Sequence, residues 1–333
     1  MTRDTHNRRR RRWPDRAHAM LGLVAALVLG ALGATGSGAS AMSAQRGADP
    51  TVVNIAVLPI EPTAQAFYAK HRGFFLREGI DARITVLADP SQIAAAVLSG
   101  DAHFSSFSTG GLAILKSRGA PVKLVAAGAM YRPSAPTSAL VAAPGERITR
   151  PQDLVGKLVA IDAQNTLAHV GLLKWLKQGG VDASTVRLTE MPFAQMLGPL
   201  RRGNVDAAVL PEPFVTLATE RGAVRVAPIL DAVCRQECLL TVFMARRDID
   251  PILAARFRNA VQAAAVWANR KANQPASGKI LARYAPIDEA VIAKMTRTSF
   301  SQRLRTGLAQ PWVDVFAEFG VIPTSFSAID LVK

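Results

Sequence analysis

Residues 51–87 read TVVNIAVLPIEPTAQAFYAKHRGFFLREGIDARITVL, and this stretch decides the fold class. Thr51 to Leu58 is an apolar, β-branched run of strand length and predicts a buried strand. Pro59 to Thr63 breaks it. Phe67, Tyr68, His71, Phe74 and Phe75 then recur at helical spacing, which predicts an amphipathic helix from Ala64 to Arg77 closed by Gly79. Arg83 to Leu87 is the next strand. A buried strand, a covering helix and a second strand in so short a stretch form a βαβ unit, and hence predict a parallel sheet with helices on its faces.

The alternation continues outward from there. Ser91 to Leu98 reads as a helix, Ala102 to Phe107 as a strand and Gly110-Gly111 as the opening of another helix, with Val122 to Ala127 as a further strand. Pro133 and Pro136 mark a passage to a second α/β series. In it Ala139 to Ala143, Lys157 to Ile161, Val186 to Leu188, Ala207 to Leu210, Val224 to Ile229 and Leu240 to Met244 read as strands, and Leu167 to Lys177 as a helix. Asp250-Pro251 starts a helix, a capping carboxylate before a proline at the first helical position. The C-terminal quarter is mostly helical.

In the other direction, Arg8 to Arg12 form a basic run, Met20 to Leu32 an apolar stretch, and Ala39-Ser40-Ala41 a small-residue end. That is the layout of a secretory signal peptide over residues 1–41, with a mature start near Met42. The apolar stretch is short for a span of roughly 20 residues, so an uncleaved anchor is the weaker reading. Arg10-Arg11 with Trp13 also fits a twin-arginine signal loosely, which leaves Sec and twin-arginine export both open. The expected location is periplasmic or secreted, with no stable membrane insertion after cleavage.

The whole chain holds 40 Lys and Arg against 25 Asp and Glu, of which 7 and 2 fall in residues 1–41, leaving 33 against 23. The remaining basic residues are scattered, as in Arg201-Arg202 and Arg246-Arg247, and aromatics are only 6%. This is a soluble basic surface rather than a nucleic-acid stripe. About 290 residues after the signal suffice for two domains. Cys234 and Cys238 lie outside any C-x-x-C spacing; in an oxidising compartment they pair locally or remain two buried thiols. No cofactor and no metal site is expected.

Three segments carry a resemblance. Phe67-Tyr68-Ala69-Lys70 with Gly73-Phe74-Phe75 and Glu78-Gly79-Ile80 resembles the first helix of the nitrate/sulfonate/taurine solute-binding family, and of bacterial thiamine-precursor binding proteins. Asp153 to Ala160 (DLVGKLVA) is similar to the family's D-L-x-G-K-x-V-A segment at the start of the second lobe. Gly203 to Ala208 (GNVDAA), with Pro211-Glu212-Pro213-Phe214, is similar to the stretch that returns to the cleft. The resemblance implies a type II periplasmic-binding fold: two α/β lobes, two crossings between them and a ligand cleft. It divides the chain into lobe I, residues 51–135 plus 237–333, and lobe II, residues 136–236. The implied role is the extracytoplasmic solute-binding component of an ABC importer. Its partners would be a small-molecule ligand and the permease and ATPase subunits, and the protein itself a monomer. Read as structure, Gly79 and Gly156 are turn glycines, Asp153 and Lys157 flank a surface turn, and Phe74 and Phe75 pack in the core.

In open α/β sheets ligands lie beyond the carboxyl ends of strands, where helix N-termini offer free N–H groups. Four loops qualify. Glu61, Thr63 and Gln65 come from the first, and Ser105, Ser106, Ser108 and Thr109 from the second. The third supplies Gln164, Asn165 and Thr166, ahead of His169; the fourth supplies Glu212 and Phe214. By family analogy all four line the cleft. Asn165 and Thr166 fit a helix cap as well as ligand contact, and so do two of the hydroxyls in the second loop. Tyr131 fits either cleft wall or hinge packing, and His103 an edge or core position. Hydroxyls and helix ends suit an anion such as a sulfonate, whereas Glu61 and Glu212 suit an amine or a pyrimidine. The ligand's identity and charge stay open.

The rival from another class is an enzyme on the same scaffold, akin to pyrimidine synthases or dehydratases. No G-x-S-x-G, H-E-x-x-H or phosphate-binding G-x-x-x-x-G-K-[ST] occurs in the chain. A ligand-sensing module is the third reading.

Overall fold

The computed structural model describes residues 49–285 and 287–333. The signal peptide expected over residues 1–41, and the mature start near Met42, lie outside the described residues.

The chain begins with β1 (Thr51–Val57), α1 (Gln65–His71), α2 (Phe74–Arg77), β2 (Ile80–Val86), α3 (Pro90–Ser99), β3 (Phe104–Ser108), α4 (Thr109–Ser117) and β4 (Val122–Ala127). After a short β5 (Ala129–Tyr131) it builds β6 (Ser138–Ala142), β7 (Leu158–Ile161), α5 (Leu167–Gln178), β8 (Arg187–Glu190), α6 (Phe193–Arg202), β9 (Ala207–Pro211), α7 (Phe214–Thr219) and β10 (Val224–Ala227). It then returns through β11 (Cys238–Leu239), β12 (Thr241–Arg246), α8 (Pro251–Ala268), α9 (Gln274–Ala282), α10 (Glu289–Lys294), β13 (Ser299–Phe300) and α11 (Gln310–Glu318). The single helix expected over residues 64–77 is two helices. Gly73 takes φ 69° between them, a left-handed turn that glycine makes at little cost. Gly79 and Gly156 also have positive φ, as their reading as turn glycines requires.

Two five-stranded sheets form the lobes, in the orders β2-β1-β3-β12-β4 and β10-β6-β9-β7-β8. The alternation of strand and helix predicts parallel sheets, and each sheet is in fact mixed. β12 runs antiparallel to β3 and β4, and β6 antiparallel to β9 and β10. These are the strands by which the chain re-enters the first sheet and enters the second, so they arrive from the opposite end. A third sheet, β11-β5-β13, sits at the crossings. There the outgoing and returning chains pair directly, Tyr131 against Cys238 and Met130 against Leu239.

Packing follows the apolar pattern. Phe257 of α8 stacks on Phe104 at 3.9 Å and meets Phe75 and Phe243 at 5.4 Å. Phe75 is thus a core residue, while half-buried Phe74 lies under the Arg77 guanidinium at 4.4 Å. Asp153 accepts from Thr149 and Arg150, and Lys157 pairs with Glu146 and Asp206, so both serve turns. His103 accepts the Asn54 amide at the start of β3. Among the described residues, no helix is long and apolar enough to cross a membrane.

Candidate functional site

Three of the four loops named from sequence follow β1, β7 and β9; the second is not a loop, since Ser105, Ser106 and Ser108 lie within β3 and Thr109 opens α4 directly. Two of the four segments belong to each five-stranded sheet.

In the first loop Glu61 is fully buried. One of its oxygens pairs with the Arg297 guanidinium and the other accepts the Thr298 amide at 2.9 Å. Arg297 also donates to Gln274 O, Ser277 Oγ and Tyr68 Oη. A buried carboxylate is tolerated only with such compensation. Burial, then the Glu61 charge, pushes the Tyr68 phenol far above its ordinary range. The Thr63 hydroxyl is directed at Leu58 O (2.6 Å) and Ile60 O (2.8 Å), which closes the turn. Gln65 donates from Nε2 to Val261 O, and its Oε1 has no hydrogen-bond partner within the protein.

The second segment divides as its residue types suggest. Ser108 caps α4 by accepting the Gly111 amide, and Thr109 Oγ1 donates to Leu239 O on the returning chain. Ser105 and Ser106 are buried with no partner for either Oγ.

In the third loop Thr166 caps α5, accepting the His169 amide at 3.3 Å while its hydroxyl reaches Asp162 Oδ1 at 2.7 Å. Asn165 has φ 59° and gives its amide to His169 Nδ1 at 3.0 Å, which leaves the imidazole proton on Nε2. Burial holds the His169 pKa below its usual value, favouring the neutral ring. Desolvation pushes partly exposed Asp162 up to about 6. Gln164 donates to Glu190 at 2.9 Å on the surface.

In the fourth loop Glu212 is buried, and one oxygen accepts both the amide and the hydroxyl of Thr216. The other faces the Thr296 amide at 3.4 Å and lies 3.9 Å from Arg225. Burial raises its pKa in spite of these donors. Phe214 stacks against Phe193 at 6.0 Å.

Tyr131 lies at the crossings. Its hydroxyl donates to Asp231 Oδ1 at 2.6 Å, which ties the outgoing strand to the returning chain, and burial raises its pKa. Cys234 and Cys238 are joined on that returning chain, with Cα atoms 5.7 Å apart.

The structure therefore brings Glu61 and Glu212 together on one segment, Thr296-Arg297-Thr298, which sequence reading missed. Beside it Lys294 pairs with Glu220 at the end of α7 at 2.6 Å, and farther on Glu318 takes Lys174 and Lys177 of α5 at 2.6 and 2.9 Å. No local sequence signal marked the Thr296-Arg297-Thr298 segment, because Arg297 lies 236 residues from Glu61 along the chain. Two cavities, of about 400 and 330 Å³, lie elsewhere. One borders Lys123, Pro251 and Arg258, the other Lys271, Lys279 and Arg297. Neither is lined by a residue of the four sequence segments.

The sequence matches the family profile described as NMT1/THI5 like over residues 62–274. Among solved structures of this fold, the periplasmic aliphatic sulphonate binding protein SsuA of Escherichia coli is 20% identical, with 85% of this chain and 98% of that chain covered and a TM-score of 0.68. The periplasmic nitrate-binding protein NrtA of Synechocystis PCC 6803 is 14% identical, with 85% of each chain covered and a TM-score of 0.70. The desulfurization enzyme DSZB is 15% identical, covering 85% of this chain and 96% of that chain, with a TM-score of 0.64. No curated protein sequence matches the chain. At these identities the likeness establishes the type II periplasmic-binding fold.

Proposed function

The chain belongs to the NMT1/THI5-like family, and from that premise we propose that it is the extracytoplasmic solute-binding component of an ABC importer. It captures a small organic sulfonate, amine or nitrogen heterocycle between its lobes, after export by the Sec or twin-arginine route.

The observation that carries this reading is a set of buried polar atoms without internal partners. Ser105 Oγ and Ser106 Oγ belong to the second and third residues of β3, and Gln65 Oε1 to the first residue of α1, the helix that follows β1. A buried polar atom left unpaired costs about 1–3 kcal/mol, so such atoms persist where something else satisfies them. In this reading Gln65 and one of the two serines touch the ligand, because neighbouring strand residues point to opposite faces of the sheet. Glu61, Thr63, Ser108, Thr109, Asn165, Thr166, His169 and Glu212 shape the cleft through the bonds they already make.

An enzyme is the second reading, and the fold shared with DSZB is the observation that favours it. Native mass spectrometry of the mature protein with a panel of sulfonates, nitrate, amines and pyrimidines separates the two. One unchanged ligand per chain supports capture. A converted product without transport components supports the enzyme, and no bound compound from any class counts against both.

A further inference from the structure

Two more buried hydroxyls lack a partner: Thr137 Oγ1, in a residue 2% exposed, and Thr298 Oγ1, in a residue 6% exposed. Both lie outside the four segments, and each stands beside one of the two carboxylates. The Thr137 carbonyl accepts the Glu212 amide at 2.8 Å, and the Thr298 amide donates to Glu61 at 2.9 Å. Thr137 ends the outgoing crossing just before β6, and Thr298 stands just before β13. The Thr296–Thr298 segment connects the two places, because Thr296 reaches Glu212 and Thr298 reaches Glu61. Of the remaining unpartnered atoms, Trp312 Nε1 sits in α11, and Arg132 Nε lies 2.7 Å from Glu237.

We propose that Thr137 and Thr298 are ligand-contacting residues, one from each lobe, which hold an uncharged donor–acceptor group such as a ring nitrogen, an amide or a carbonyl. A hydroxyl both donates and accepts, so two of them read a neutral edge in either sense. The neighbouring charges are already matched, Glu61 by Arg297 and Glu212 by its donors with Arg225 nearby. A full charge brought to this spot would find no free counter-charge on Glu61, Arg297, Glu212 or Arg225, and would carry its desolvation cost uncompensated.

The inference rests on the solute-binding reading, and its test separates the two. Thr137→Val and Thr298→Val remove each hydroxyl while keeping the side-chain shape. Loss of an unpartnered buried hydroxyl leaves the melting temperature of the ligand-free protein unchanged or higher. Each change should weaken the ligand found in the native mass spectrometry panel by about five- to tenfold. The ligand-free melting step needs no ligand: valine variants that melt lower mark hydroxyls serving the fold and overturn the proposal. Unchanged affinity for a confirmed ligand also overturns it, while leaving the solute-binding reading standing.

Discussion

The guanidinium of Arg297 holds the buried carboxylate of Glu61 from a point 236 residues away along the chain. Arg297→Gln leaves that carboxylate without its cation. Removing one partner of a buried pair costs about 3–5 kcal/mol, so the variant should melt well below the parent. The double variant Glu61→Gln, Arg297→Met should recover much of that loss, because it buries no charge. Thermal unfolding followed by circular dichroism reads both. A single variant as stable as the parent would mean the pair is not the pin of this segment.

Cys234 and Cys238 should be bridged in exported protein. Labelling under denaturing, non-reducing conditions should find no free thiol, and two labelled cysteines would refute the pairing. The bridge closes a short loop, so Cys234→Ala, Cys238→Ala should cost about 2 kcal/mol in the chain-entropy account.

How much of this was legible in sequence depends on the range over which each feature acts. The strand β1, the caps Asp250 and Ser108 and the loop after β7 are local, written in periodicity and capping residues within a few positions. The helix break at Gly73 was equally local, yet apolar period on both sides hid it. β5, β11 and β13 have two or three residues each, too short to show any period, so the sheet at the crossings had no signal. The antiparallel setting of β6 and β12 is a matter of topology, since the strands themselves look like their parallel neighbours. Glu61 and Glu212 were legible as important carboxylates. That both are met by Thr296–Thr298 is a long-range fact, invisible until the chain folds back.

The acid group at the head of α5 sets a pH dependence. The Asp162 pKa stands at about 6 in the folded protein against an ordinary 3.8. A carboxyl whose folded pKa is raised favours folding while protonated, so stability should fall as pH rises from about 4 to 6. The full effect is at most about 3 kcal/mol, less where water screens the group. Asp162→Asn should remove this fall and be more stable than the parent at neutral pH. Comparing the two cancels contributions from the ionisable groups that both proteins share. Parallel stability–pH profiles would show that Asp162 titrates normally.

Export should be visible at the N-terminus. Protein recovered outside the cytoplasm should begin near Met42, as read by N-terminal sequencing. A full-length, membrane-held chain would speak for an uncleaved anchor instead.

Ligand capture between the lobes is tested most directly by the melting temperature of the mature protein across sulfonates, nitrate, aromatic acids, amines and pyrimidines. A ligand at 100 times its dissociation constant stabilises the fold by about 2.7 kcal/mol. At roughly 2–4 °C per kcal/mol, one chemical class should raise the melting temperature by about 5–10 °C. One of Ser105→Ala and Ser106→Ala should shrink that rise while leaving the ligand-free value in place, the other facing away from the ligand. A flat response to every class, or a rise that the two serine variants leave untouched, would contradict the account.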